Sequence, residues 1–236
     1  QMAFASFPDR AHSGPLTVTI SSTDVSDGGT YDSSVTVTFT LSMSSSDFTK
    51  EDVTVTNGSL ADWISISTKI YTVKVTPSFD GDVTVQVLEK KFKDGFGNSN
   101  ITSDSFIWTH DSSPPQVQSI ICVTSSGVPT AEPSASAILY FKVVFDEDAY
   151  NLSPDDFSLF DTWHSVLNES VVSVSTLNAP DQNEFLVAVS VGGQEGQLRL
   201  DFDSGTNVVD GFSHMGSLPY TEGQQYFCWN GEGVTG

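Results

Sequence analysis

Strict alternation of apolar and polar residues is the feature that most limits what this chain can become. It runs through "LTVTI" (16–20), "VTVTFTL" (35–41), "DVTVTN" (52–57), "WISIS" (63–67), "YTVKVTP" (71–77) and "DVTVQVL" (82–88). It resumes in "AILYFKVVF" (137–145), "VVSVSTL" (171–177), "FLVAVSV" (185–191) and "GQLRLDF" (196–202). Each run puts Val, Ile, Phe or Leu on one face and Thr, Ser or Lys on the other, the period of a strand with one buried face. Gly, Asp, Asn, Ser or Pro separates most of them, as in an antiparallel sandwich or barrel. No long segment keeps apolar residues at a spacing of about 3.6. Helix is therefore expected only as short turns, at "SSDFTKED" and "LSPDDF".

The alternation stops at Ser112-Ser113-Pro114-Pro115, where two prolines remove backbone donors and hold the chain extended. This marks a boundary, and the two sides repeat one another in order. Phe48 to Val53 aligns with Leu152 to Phe157, "YTVKV" with "FLVAV", "GDVTVQV" with "GQLRLDF", and "KDGFG" with "VDGFS". Two divergent copies of one β module in tandem are the expectation: an extension at 1–13, a first domain at 14–112, a second at 113–230 and a tail at 231–236. Such repetition favours an array of modules over an enzyme. In the shared Asp-Gly-Phe turn (94–96 and 210–212) the Asp is expected to cap, the Gly to take a positive φ, and the Phe to plug the sandwich end.

Thirty acidic against nine basic residues give a net charge of -21. That charge repels nucleic acid and anionic membrane and fits either a cation-attracting surface or solubility alone. No run reaches the roughly 18 apolar residues of a membrane span. The start, "QMAFASFPDRAHSGP", has no basic, long apolar leader and reads as a mature or excised fragment. The two cysteines, Cys122 and Cys228, stand in strand-like runs at the two ends of the second half. If the first and last strands are neighbours, a disulfide there would close a loop of about 107 residues and contribute roughly 4 to 5 kcal/mol. The alternative is two buried thiols.

Catalytic constellations are not legible. His12, His110, His164 and His214 are scattered, and no nucleophile elbow, zinc-binding His pair or phosphate loop is present. No enzyme is expected. Calcium takes hard oxygen ligands, and Asp94, Asn98, Asp104 and Asp111 are the candidate set; Asp146, Glu147, Asp148, Asp155 and Asp156 form a second acidic group. Sequons place candidate glycans on Asn57, Asn100, Asn151 and Asn168. Of Trp63, Trp108, Trp163 and Trp229, Trp163 is the candidate for stacking on a sugar ring, since Trp63 and Trp108 fall in alternating runs with a core face. The threonine rows, such as Thr36, Thr38 and Thr40, are ordinary solvent faces of a sheet.

The stretch from "SDFTKEDVTVTNGSLADW" through "YTVKVTPSFDGDVTVQV" to "KDGFGN" resembles the bacterial-type immunoglobulin-like repeats of very large surface adhesins. "VVSVSTL", "GQLRLDFDSGTNVVDGFSHMG" and "YTEGQQY" resemble a sister repeat, so the resemblance spans about residues 14–228. It implies two immunoglobulin-like sandwiches in an extracellular or cell-surface segment, often stiffened by calcium. The segment is expected to serve as a structural or adhesive spacer or assembly unit, with other domains or subunits of a surface or filament protein as partners. The alternative is a pair of carbohydrate-binding modules. The chain departs from the pattern in its cysteine pair and in "SHMG" where the first copy has "GN".

Overall fold

A computed structural model describes residues 14–130, 136–161, 169–191, 196–204 and 207–228. The chain divides into two compact units, Gln1–Ser112 and Ser113–Gly236. The first contains β1 (Val18–Ser22), β2 (Thr30–Tyr31), β3 (Val35–Leu41), β4 (Val53–Thr56), β5 (Gly58–Ser65), β6 (Ile70–Pro77), β7 (Gly81–Val87) and β8 (Phe106–His110). They form two sheets, β1-β3-β6-β5 and β2-β8-β7-β4. The second contains β9 (Val117–Val123), β10 (Ile138–Phe145), β11 (Phe157–Asp161), β12 (Ser170–Thr176), β13 (Glu184–Ser190), β14 (Gly196–Phe202) and β15 (Gln225–Cys228). Its sheets are β12-β13-β10-β9 and β11-β14-β15. Strand for strand the orders correspond, and only β2 lacks a counterpart among the described residues.

The alternation decides which face closes each sandwich. In β3, Val35, Val37, Phe39 and Leu41 point inward while Thr36, Thr38 and Thr40 point outward. Tyr71, Val73 and Val75 of β6 stand opposite them in register, and Val83, Val85, Val87 and Trp108 close the core from the second sheet. In the second unit Leu139, Phe141, Val143 and Phe145 take the same places, faced by Leu198, Leu200 and Phe202. Each such side chain contributes on the order of 1.5 to 3 kcal/mol by leaving water. Phe48 fastens one end of the first core, with Phe39, Trp63, Tyr71 and Phe92 all within 5.5 Å of its ring centroid. The fold is all-β, with two immunoglobulin-like sandwiches in which, among the described residues, the named strands pair antiparallel except for β2 and β8.

Both expected helical turns are present as single 3-10 turns, Lys50–Asp52 and Pro154–Asp156. They are built alike: Asp52 accepts from the N–H and Oγ1 of Thr49 at 2.8 and 3.0 Å, and Asp156 from the N–H and Oγ of Ser153 at 2.7 and 2.9 Å. The run "WISIS" is displaced: its strand starts earlier, at Gly58, and a register shift between Ala61 and Ile64 turns Trp63 toward the core. The shift falls where Asp62 takes a φ of 49°.

The expected disulfide is not formed. Cys122 and Cys228 are both buried free thiols in one core cluster. β9 and β15 belong to different sheets of the sandwich, and the segment entering β15 meets β9 before Cys228 is reached. The register sets Cys122 against Gln224, four residues before Cys228, so that its Sγ lies 3.9 Å from the Gln224 C=O. What meets β9 instead is Gln224, whose Oε1 accepts the Cys122 N–H at 3.0 Å. Burial pushes the Cys122 thiol up to about 12, with Cys228 adding to the shift, and burial followed by Asp161 pushes Cys228 up to about 11. At pH 8 both thiols are therefore held in the protonated, unreactive form. Intact masses with and without reductant should agree, and iodoacetamide at pH 8 should label neither cysteine until the chain is unfolded. A loss of two hydrogens in the unreduced chain would contradict this arrangement.

Candidate functional site

The repeated Asp-Gly-Phe loops are polar constellations built by one rule. In the first unit the Asp94 carboxylate, 6% exposed, accepts the N–H of Phe96 and the N–H of Asn98, both on Oδ1 at 2.9 Å. Its Oδ2 accepts Nδ2–H of Asn98 at 2.9 Å. In the second, Asp210, 3% exposed, accepts the N–H of Phe212 at 2.9 Å and of His214 at 2.8 Å on Oδ1. Its Oδ2 lies 2.7 Å from Nδ1 of His214. An amide in one copy and an imidazole in the other thus fill the same place, four residues after the Asp. The second loop, which looked degraded as sequence, keeps its geometry because His offers a ring nitrogen where Asn offers its amide.

Two expectations for these loops are corrected. The left-handed residue is not the Gly after Asp but the residue two further on, Gly97 with φ 88° and Ser213 with φ 74°. Bonding two amides to one carboxylate oxygen curls the chain tightest there. Nor does the Phe plug the sandwich end: Phe96 is 52% and Phe212 37% exposed. The adjoining chain docks instead. Gly95 N–H donates to Ser44 C=O at 3.1 Å and Ser45 Oγ to Lys93 C=O at 2.6 Å, while Tyr150 N–H donates to Val209 C=O at 2.7 Å.

Of the candidate calcium ligands, the structure brings Asp94 and Asn98 together and keeps the others apart. Asp104 precedes β8 and Asp111 follows it, so the two lie roughly 20 Å apart at a rise of about 3.3 Å per residue. The four do not surround one ion, whose oxygen ligands sit about 2.3 to 2.6 Å from it. The second acidic group is likewise distributed over backbone donors: Asp146 accepts Gln116 N–H at 2.8 Å, Asp148 accepts Gln182 N–H at 2.9 Å, and Asp156 caps its 3-10 turn. Asp155 is exposed.

The sequon asparagines have unequal surroundings. Asn100 is 2% exposed; its Oδ1 accepts from Lys91 and Phe92, and its Nδ2 donates to Leu88 and Ile101. A glycan would take one of the two hydrogens of that nitrogen, break one of the four hydrogen bonds and have to fit into a buried site, so the fold leaves Asn100 no room for one. Its role is structural, and the sequon concealed it. Asn57 is clamped, its Nδ2 donating to Phe79 C=O at 2.9 Å and its Oδ1 accepting Phe79 N–H at 3.1 Å. Asn151 is exposed, with Nδ2 3.3 Å from Asn207 C=O. Asn168 and Trp163 lie outside the described residues. Trp108 is fully buried and Trp63 packs on Phe48 and Tyr71.

Residues 12–109 match a family model described as a bacterial Ig-like domain. No curated protein matches the chain. Among solved structures it is similar to FdeC, an Escherichia coli adhesin, at 14% identity and a TM-score of 0.39 over 93% of this chain and 66% of that one. It is similar to invasin, a bacterial integrin-binding protein, at 15% identity and a TM-score of 0.35 over 80% and 37%. The Yersinia pseudotuberculosis adhesin InvE gives 14% identity and a TM-score of 0.30 over 91% and 60%. The chain therefore spans between 37% and 66% of the lengths of these structures.

Hydrogen bonding by Asn98, aided by the backbone N–H groups of the loop and opposed by burial, holds the Asp94 carboxyl below its ordinary value. A group whose folded-state pKa is depressed stabilises the fold fully above its unfolded value, near pH 4, and loses that contribution as pH falls through the folded value. Asp94→Asn should therefore lower the urea midpoint at pH 7 and make the variant less sensitive than the parent to acid below about pH 4. An unchanged midpoint at pH 7 would show that the loop does not depend on this carboxylate.

Proposed function

From the match of residues 12–109 to the bacterial Ig-like domain model, we propose that the chain is an extracellular structural or adhesive segment. In this reading its two sandwiches act as a spacer or assembly unit of a surface protein. The parallel seam of the first unit carries the proposal. β2 and β8 run in the same direction, with Gly28 N–H donating to Ile107 C=O at 2.7 Å, Thr109 N–H to Gly29 C=O at 2.9 Å and Asp111 N–H to Tyr31 C=O at 3.3 Å. Near the start of the unit, Ile101 N–H donates to Leu16 C=O at 3.0 Å across a second parallel bridge.

Pulling on the two ends of such a unit draws its early and late strands in opposite directions. The bonds between them are then loaded together in shear instead of opening one by one. Asp27 reinforces the seam by accepting Ile107 N–H at 2.8 Å, and Asp80 secures the exit of the chain by accepting the N–H and Oγ of Ser112 at 2.9 and 2.8 Å. Loops whose carboxylates satisfy the backbone, and modules repeated with the same devices, suit a load-bearing array.

Single-molecule extension of the full chain tests this. Two separate unfolding events are expected, each releasing roughly 30 nm for about 100 residues at 3.3 to 3.6 Å per residue. Asp27→Ala should lower the force of one event and leave the other unchanged. One concerted event, or two events indifferent to Asp27→Ala, would refute the proposal.

A further inference from the structure

The seam that supports the first unit also has an opening, and the second unit shows what closes it there. Thr17 C=O accepts Ser42 N–H at 3.0 Å. In the antiparallel alternation Thr19 and Ser21 therefore direct their backbone groups to β3, and Val18, Ile20 and Ser22 direct theirs away from it. β1 is an edge strand, and no described residue pairs with that outer row. Across from it runs the chain entering β8, and between the two lies a cleft of about 380 Å³. The cleft is bounded at one end by the Leu16–Ile101 hydrogen bond and at the other by the bonds of Asp27 and Gly28 to Ile107.

In the second unit the corresponding edge is occupied. Gln224 N–H donates to Ile120 C=O at 2.9 Å, and Gln224 Oε1 takes the Cys122 N–H, so the chain entering β15 lies directly against β9. Gly223 permits this approach: a Cβ there would stand 2.9 Å from Leu200 C=O and 3.1 Å from Ile120 Cβ. Val83↔Trp108 in the first unit answers Leu198↔Tyr226 in the second, so the place of Gly223 is held by Ser105, which lines the cleft beside the exposed Asp104. A side chain has replaced the glycine that allows closure, and the seam stays open.

Edge strands in folded proteins are usually blunted by charge, proline, a bulge or shortness. β5 carries a register shift with Asp62 inside it, and β2 has two residues. β1, "VTISS", has none of these devices and pairs with β3 without a register shift. Along the cleft, the backbone row of β1 offers an extended partner its ladder. Ile20, Val25 and Phe106 offer apolar contact, and Asp27 and Asp104 are the only charged groups of the lining.

We propose that this cleft is a docking site for an extended peptide segment of another polypeptide, added as a strand along β1 and carrying Lys or Arg toward Asp27 and Asp104. Strand addition of this kind takes affinity from main-chain bonds and selectivity from alternate side chains. The cleft spans about five residues of strand, or roughly 17 Å. A second copy of this chain is a poor occupant, since two bodies of charge -21 repel and the chain has nine basic residues. The proposal goes beyond the spacer reading: it concerns the outer row of β1, and its test substitutes Asp104, which makes none of the seam's hydrogen bonds named above.

The test uses the full chain and a fluorescein-labelled peptide of alternating residues, Val-Lys-Val-Lys-Val-Lys-Val. Saturable binding is expected, weakened severalfold by Asp104→Asn and by raising salt from 50 to 500 mM. The peptide should slow amide exchange selectively at Val18, Ile20 and Ser22. Ile20→Pro removes only a donor that faces the opening, a tolerated place for proline at a sheet edge, and should abolish binding. Because that variant can also disturb β1, the parent is challenged with the same peptide N-methylated at alternate residues, which should not bind. Absence of binding at millimolar peptide would overturn the proposal, as would equal binding of the N-methylated peptide or of the version with Glu for Lys. Protection confined to other amides would do the same. A concentration-dependent dimer protecting the same three amides would assign the edge to a second copy and refute the proposed partner.

Discussion

A chain with almost no helix must satisfy its backbone N–H groups wherever it leaves a sheet, and here aspartate does so repeatedly. Asp24 accepts Thr36 N–H, Asp27 accepts Ile107 N–H, Asp47 accepts Lys93 N–H and Asp80 accepts Ser112 N–H. Asp146 and Asp148 do the same in the second unit, and Asp52, Asp94, Asp156 and Asp210 each hold a turn. An ionised carboxylate is a strong acceptor with two oxygens and no proton to place, which makes it well suited to a loop crowded with donors. Much of the net charge of -21 is therefore architecture as well as surface.

Duplication makes that architecture visible, because whatever both units retain was built twice from different residues. Thr49 with Asp52 and Ser153 with Asp156 form one such pair; Asp94 with Asn98 and Asp210 with His214 form another. Divergence is equally informative. Where the second unit has Gly223 the chain entering β15 closes on β9, and where the first has Ser105 a cleft lies beside β1.

Most of the fold was legible because a two-residue period has one interpretation when half the residues are apolar. The runs at 35–41 and 196–202 coincide with β3 and β14 to the residue. The two 3-10 turns were legible from short polar segments flanked by an inward Phe or Leu. Less was legible at the polar positions. The sequon at Asn100 suggested a surface, yet its amide is enclosed by four backbone groups brought from residues 88 to 101. The sequence repeat marked Asp94 and Asp210 correctly as caps. It misassigned the positive φ and the exposed Phe, because both depend on how the loop curls around the carboxylate.

From sequence alone came the all-β class, the duplicated order of strands, the inward faces and the capping aspartates, since period, turn chemistry and repetition are local properties that neighbouring residues express. Tertiary structure alone decided that the cysteines remain apart as thiols, that Asn100 is interior, and that the four proposed calcium ligands are dispersed. It also decided that, among the described residues, nothing pairs with the outer row of β1. Each of these depends on which sheet a strand joins and on how closely two distant segments approach. A single Cβ at the position of Gly223 is enough to change that approach, and no periodicity along the chain encodes it.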